Sequence, residues 1–195
     1  MQLGLMSAGM APVVDRFRPV MQRVARQSGD TVFLIVRSGD HALCLHREEG
    51  PYPVKAFVVE PGSRRLLGAS SVGMSILANL TDAEVLASYA RHEAEYGRLR
   101  FTADRLMRAV RDARKKGYSE AQDFRSDETN GVGCSFKLSR GSFAGISIAA
   151  INSRMPPERR RELGQQLVHE VQAFAWSPET DREPPERKPA RARSA

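Results

Sequence analysis

The sequence predicts an α+β domain: an antiparallel sheet of about six strands covered by helices. Three observations carry this. The hydrophobic period changes from helical to alternating just after Gly29. Two pairs of apolar runs are each joined by a short Gly- or Ser-containing turn, as in hairpins. Between those pairs lies a block with helical spacing and helix-start signals.

Val13, Val14, Phe17, Val20, Met21 and Val24 form the stripe of an N-terminal helix, and Gly29 stands where a C-terminal glycine belongs. Pro19 implies a kink there, or a second helix starting near it. "TVFLIVR" and "ALCLHRE", joined by "SGDH", read as a hairpin, and "VKAFVVE" after Gly50-Pro51 reads as a third strand. A short helix is expected over 72–80. Thr81 opens the next with Glu84 completing a capping box, and Thr102 opens a third that ends at Gly117. "GVGCSFKL" and "FAGISIAAIN" form the second hairpin across "SRGS", and a last helix spans about 156–176. The remainder, with four prolines and no apolar stripe, reads as a disordered tail over 177–195.

At 195 residues and 41% hydrophobic content, the chain can bury one domain core. No apolar run approaches the roughly 20 residues of a membrane span, which predicts no membrane partner. Cys44 and Cys134 make neither a disulfide framework nor a metal set, so a reducing cytoplasm is the expected location. The net charge of +7 is concentrated at Arg105 to Lys116 and at Arg159 to Arg161. These fall on polar helix sides, with Asp104 and Asp112 placed for intrahelical pairs and no aromatic residues interleaved. Solvated faces are favoured over a nucleic-acid groove.

Enzyme signatures are missing: no phosphate loop, no His-Glu-x-x-His, no Gly-x-Ser-x-Gly. The four histidines are scattered, and neither a metal nor a cofactor is expected. Cys134 is either a nucleophile awaiting a base or a small buried strand residue, with the second reading favoured. Along "FAGISIAAI", Ala144, Ile146, Ile148 and Ala150 share one face, while Phe143, Gly145, Ser147 and Ala149 share the other, mostly small one. Cys134 is expected beside these small residues, on a face that either leaves room for a guest or lets a helix approach closely. A second run of small residues, Gly68 to Ser71 and Gly73, precedes the short helix. Its N-terminal amides could hold an acid, or Ser70 could simply cap its own helix.

Four blocks in order, "TVFLIVRSGDHALCLHRE", "PGSRRLLGASSVGMSILANLT", "LMRAVRDARKKGYSEAQDF" and "GVGCSFKL…FAGISIAAI", resemble the effector-binding domain of IclR-type transcriptional regulators. The resemblance runs from about residue 3 to 176 and implies a curved, GAF-like sheet with a small-molecule pocket beneath a loop-helix region. It implies residues 1–29 as a linker helix and first domain helix, and 30–176 as the effector domain. The implied ligand-binding residues are Ser70, Ser71, Val72, Gly73, Cys134, Ser147 and Ala149, with Asp123, Asp127 or Glu128 as the acidic element. Ala149 stands where the family has a second serine, Gly68 where it has a histidine and Met74 where it has a lysine, which points to a larger or more apolar acid.

The implied partners are a small organic acid and further copies of the chain, as a homodimer or homotetramer. DNA would be read only through a winged helix-turn-helix that residues 1–30 do not supply. The expected function is therefore organic-acid sensing that modulates oligomer arrangement and so DNA binding. The alternatives are a small cytosolic enzyme using Cys134 and a basic scaffold binding nucleic acid.

Overall fold

The computed structural model describes residues 3–122, 128–139 and 142–175. Among them a six-stranded antiparallel sheet runs in the order β3-β2-β1-β6-β5-β4. The strands are β1 (Thr31–Ser38), β2 (His41–Glu49), β3 (Arg64–Leu66), β4 (Ser119–Gln122), β5 (Thr129–Ser139) and β6 (Ser142–Ile151). The helices are α1 (Leu3–Ser28), α2 (Ser71–Leu77), α3 (Asp82–Arg91), α4 (Glu93–Arg98), α5 (Ala103–Lys116) and α6 (Pro157–Ala175). The two hairpins meet through β1 and β6, so sequence-distant strands form the centre of the sheet.

Strand alternation sends side chains to two separate cores, one on each face. Val32, Leu34, Ile146 and Ile148 pack against α1 and α6 through Phe17, Val20, Met21 and Leu167. Phe33, Ile35, Ala42 and Cys44 lie on the other face with α2 and α5, over Val72, Ile76, Leu106 and Val110. Helices cover both faces, and the central strands are largely apolar on both sides. A buried ion cluster anchors the α1–β1 corner: the Asp30 side chain is only 1% exposed and meets Arg154 and Arg159, each at 2.7 Å.

The helix-start signals hold. Thr81 and Glu84 form a reciprocal capping box on α3, Thr102 caps α5, and Gly117 closes α5 at φ 77°. Lys116 pairs with Asp112 at 2.8 Å. Arg159 and Arg160 are tied to Asp30 and Glu120 rather than merely solvated.

One alternative is decided and two expectations are corrected. α1 passes through Pro12 and Pro19 as one helix, so no second helix starts at Pro19. The middle block holds four helices, because His92 ends α3 and a further turn of helix, α4, follows at once. Residues 54–60 form no strand. The outer edge of β2 is taken instead by 62–66, through Gly62 N–H to the Cys44 carbonyl and then β3. With that edge occupied, 51–60 crosses the sheet as a strap, leaving Val54 and Phe57 half exposed. The tail at 177–195 lies outside the described residues.

Candidate functional site

The short helix α2 is placed by the turn before it. Ala69 N–H donates to the Leu66 carbonyl at 3.1 Å, with Gly68 at φ 93°, a conformation that disfavours side chains. Ser70 is extended and caps α2: its Oγ accepts from Gly73 N–H at 3.2 Å, and its carbonyl accepts from Met74 N–H at 2.9 Å. Every residue of α2 is buried.

Glycines on the facing strands let α2 lie directly on the sheet. A Cβ at Gly133 would sit 2.4 Å from the Val72 nitrogen, and one at Gly145 would sit 2.4 Å from Val72 Cγ2. Close approach therefore explains these two glycines, and Val72 fills the space above them. A polar clamp holds the far end. Ser135 N–H donates to Ser75 Oγ at 3.0 Å, Ser135 Oγ donates to the Ser75 carbonyl at 2.7 Å, and Asn79 Nδ2 donates to Ser135 Oγ at 2.7 Å. Ser119 Oγ donates to the Ser71 carbonyl.

Beyond Val72 the small residues do leave room. A cavity of about 60 Å³ lies between the start of α2, the sheet and the strap. That is enough for several water-sized atoms, since one needs about 10–15 Å³ on the same measure. Its floor is Phe33, Ile35, Ala42 and Cys44, then Gly131, Ser147 and Ala149. Val58 and Val59 of the strap and Ala69 to Val72 complete the wall. The lining is mostly apolar, and Arg65 is the one charged residue among the described ones. Arg65 pairs with Ala42 in register, which puts it on the cavity face of the sheet, and its Nη2 donates to the Val58 carbonyl.

Of the residues expected to bind a ligand, Ser70, Ser71, Val72, Ser147 and Ala149 line this cavity. Gly73 does not: it faces Ser70 Oγ and the Leu67 backbone within α2's own turn. Cys134 is corrected outright. Gly133, not Cys134, is paired with Ser147, while Cys134 pairs with Ile146 and points to the α1–α6 core. Its thiol donates to the Gly117 carbonyl at 3.4 Å, and burial pushes its pKa up to about 12. A buried, protonated thiol is neither a ready nucleophile nor a ligand contact. Glu128 is exposed, uses its carbonyl to accept from Asn152 N–H at 2.8 Å, and does not line the cavity. Asp123 and Asp127 lie outside the described residues.

Sequence reasoning missed Cys44, Arg65, Thr129 and the strap. Cys44 reaches the cavity floor, with its thiol pushed up to about 11 by burial. Alternation from Ile35 could have found it, because the two are paired across the hairpin.

Comparison with known proteins agrees with this architecture. The family model described as "Bacterial transcriptional regulator IclR C-terminal" matches residues 7–176. The HTH-type transcriptional regulator BhcR of Paracoccus denitrificans (strain Pd 1222) is 26% identical over 181 residues, covering 87% of this chain and 62% of BhcR. The HTH-type transcriptional repressor AllR of Klebsiella pneumoniae is 31% identical over 160 residues, covering 78% of this chain and 57% of AllR. The chain thus spans roughly three fifths of the length of these regulators. The solved structure of an IclR family transcriptional regulator from Brucella abortus is similar with a TM-score of 0.72 at 20% identity, covering 89% of this chain and 66% of that one, a likeness of fold. Since the family match runs from α1 to the end of α6, this chain belongs to the IclR family of bacterial transcriptional regulators, as their C-terminal effector domain.

Proposed function

We propose that this domain senses a small organic acid in the cavity beside α2, and that occupancy changes how copies of the chain are arranged. A DNA-binding module acting with it would respond through that arrangement. The observation that carries this reading is the cavity itself: apolar walls, a few convergent polar groups and a cationic side chain, set between a clamped helix and a strap. Ser70, Ser71, Val72, Ser147 and Ala149 are the proposed contacts from the expected set, joined by Arg65. Ala149, the one of the three departures that lines the cavity, favours a larger or more apolar acid, whereas Gly68 and Met74 lie away from it.

For sensing, the acid must prefer one arrangement over another, and coupling energies of this kind are typically about 1–3 kcal/mol. The strap and α2 are suited to carry it, because both wall the cavity from one side while β1 and β6 are fixed at the sheet centre. A thermal-shift screen against organic acids, followed by sedimentation with and without the best one, tests the reading. Stabilisation with a changed sedimentation profile supports it. Stabilisation by no acid would remove it. An enzyme built on Cys134 has no support, given the raised thiol pKa and the distance of that face from the cavity lining.

A further inference from the structure

With the strap seated, the cavity is small for an apolar guest. An apolar cavity of about 150 Å³ takes up one benzene, and this one measures about 60 Å³. A larger or more apolar acid therefore needs one wall to move. β1 and β6 are fixed at the sheet centre, and α2 rests on Gly133 and Gly145 with the Ser75–Ser135 bonds behind it. The strap is tied more lightly. Residues 51–60 contain no helix or strand. Their main chain is fixed at the ends, where Tyr52 N–H donates to the Gly29 carbonyl at 2.9 Å and the Glu60 carbonyl accepts from Ser63 N–H at 3.0 Å.

Between those ends Arg47 grips the strap twice. It is paired with Phe33 across the hairpin, so it stands on the cavity face of the sheet. Its Nη1 donates to both carboxylate oxygens of Glu60 at 3.0 Å, and its guanidinium carbon lies 4.0 Å from the centre of the Phe57 ring. Glu49, on the same strand as Arg47, accepts from its Nη2 at 3.5 Å. Phe57 stays 50% exposed, so its ring serves the contact with Arg47 rather than the core. Arg65 adds a bond from β3 to the Val58 carbonyl. Exposed ion pairs and ring–cation contacts each shift an equilibrium by only about a few-fold. A segment held this way opens under native conditions at far lower cost than the packed elements around it.

Resting on the sensing reading above for the identity of the guest, we propose that residues 51–60 form a gate over the cavity, latched by Arg47 through Phe57 and Glu60. Release of the latch lifts Val58 and Val59 off the floor at Phe33 and Cys44 and admits the guest. Arg47 is a positioning residue here, acting through the strap.

The two cysteines report on the gate without any ligand. Cys44 is buried on the cavity floor, whereas Cys134 is buried in the α1–α6 core on the opposite face. Alkylation of a buried thiol tracks the open population when reclosing outpaces reaction. Iodoacetamide labelling, read by mass spectrometry, is followed for Cys44 in a Cys134→Ser background and for Cys134 in a Cys44→Ser background. Arg47→Ala should speed labelling of Cys44 about 5- to 30-fold and leave Cys134 unchanged. Phe57→Ala removes only a half-exposed ring and should speed Cys44 about 2- to 5-fold. Arg64→Ala is the control, since Arg64 is exposed, pairs with Leu43 and reaches the Ser38 carbonyl rather than the strap; it should change neither rate. Equal acceleration of both cysteines by Arg47→Ala would mean global unfolding and overturns the gate. So does a Cys44 rate unchanged in both Arg47→Ala and Phe57→Ala, or one raised as much by Arg64→Ala. Each of these results leaves acid sensing standing, because the thermal-shift screen tests that separately.

Discussion

Gly133→Ala probes the contact on which the site's geometry depends. The new Cβ would lie 2.4 Å from the Val72 nitrogen, 2.6 Å from its Cα and 2.9 Å from the Ser71 carbonyl carbon. All three are backbone atoms, so no side chain can swing away. Ordinary contact begins near 3.4 Å, and α2 must therefore withdraw by about 1 Å. Overpacking of this kind costs about 1–3 kcal/mol. Lifting α2 also strains the Ser75–Ser135 bonds, each contributing about 1 kcal/mol. A total near 2–4 kcal/mol corresponds to a melting temperature lower by about 4–16 °C for a domain of this size. Thermal and urea denaturation measure it, with Gly97→Ala as the control. Gly97 lies within a helix and meets nothing within 4 Å, so that change should be neutral or slightly stabilising. If Gly133→Ala melts with the wild type, α2 does not rest on β5 as described.

Other outcomes follow from the same packing. Asp30→Ala should cost about 3–5 kcal/mol in urea unfolding, because it strands two guanidiniums around a buried site. Neither Cys44 nor Cys134 should react quickly with a thiol reagent at about pH 8 in the native protein, since burial pushes both thiols well above that pH. Both should titrate after denaturation. Hydrogen bonding from Arg91, with help from His92, holds Asp40 below the usual carboxylate range. A lowered carboxylate stabilises the fold above its unfolded pKa, and this is lost as pH falls through the folded value. The melting difference between wild type and Asp40→Asn should therefore be present near neutrality and shrink in acid below the ordinary Asp pKa of about 3.9.

Much of this architecture is legible in the chain. Thr81, Glu84 and Thr102 announce helix starts because capping is local chemistry, satisfied within a few residues. The two faces of β6 can be read from Ala144, Ile146 and Ile148 against Gly145 and Ser147, because alternation is also local. What cannot be read this way is register. Val132, Cys134 and Phe136 share a face in any arrangement. Helices cover both sides of the sheet, however, so no polar face reveals which one they take. Only the pairing of Gly133 with Ser147 decides it. The strap escapes the pattern for a related reason. "VKAFVVE" has strand composition, but a strand needs a free edge, and 62–66 holds the one on β2. Arg65 was hidden in "GSRRLL", where adjacent arginines look alike until pairing with Ala42 turns one toward the cavity.

Calorimetric titration of the best-stabilising acid into the wild type and into Ala149→Leu addresses the sensing claim most directly. Leucine at this small floor position would occupy the guest's space from the sheet side. The account predicts saturable binding by the wild type and loss of that binding in a variant that still folds cooperatively. Undiminished binding by Ala149→Leu would place the acid somewhere other than this cavity and contradict it.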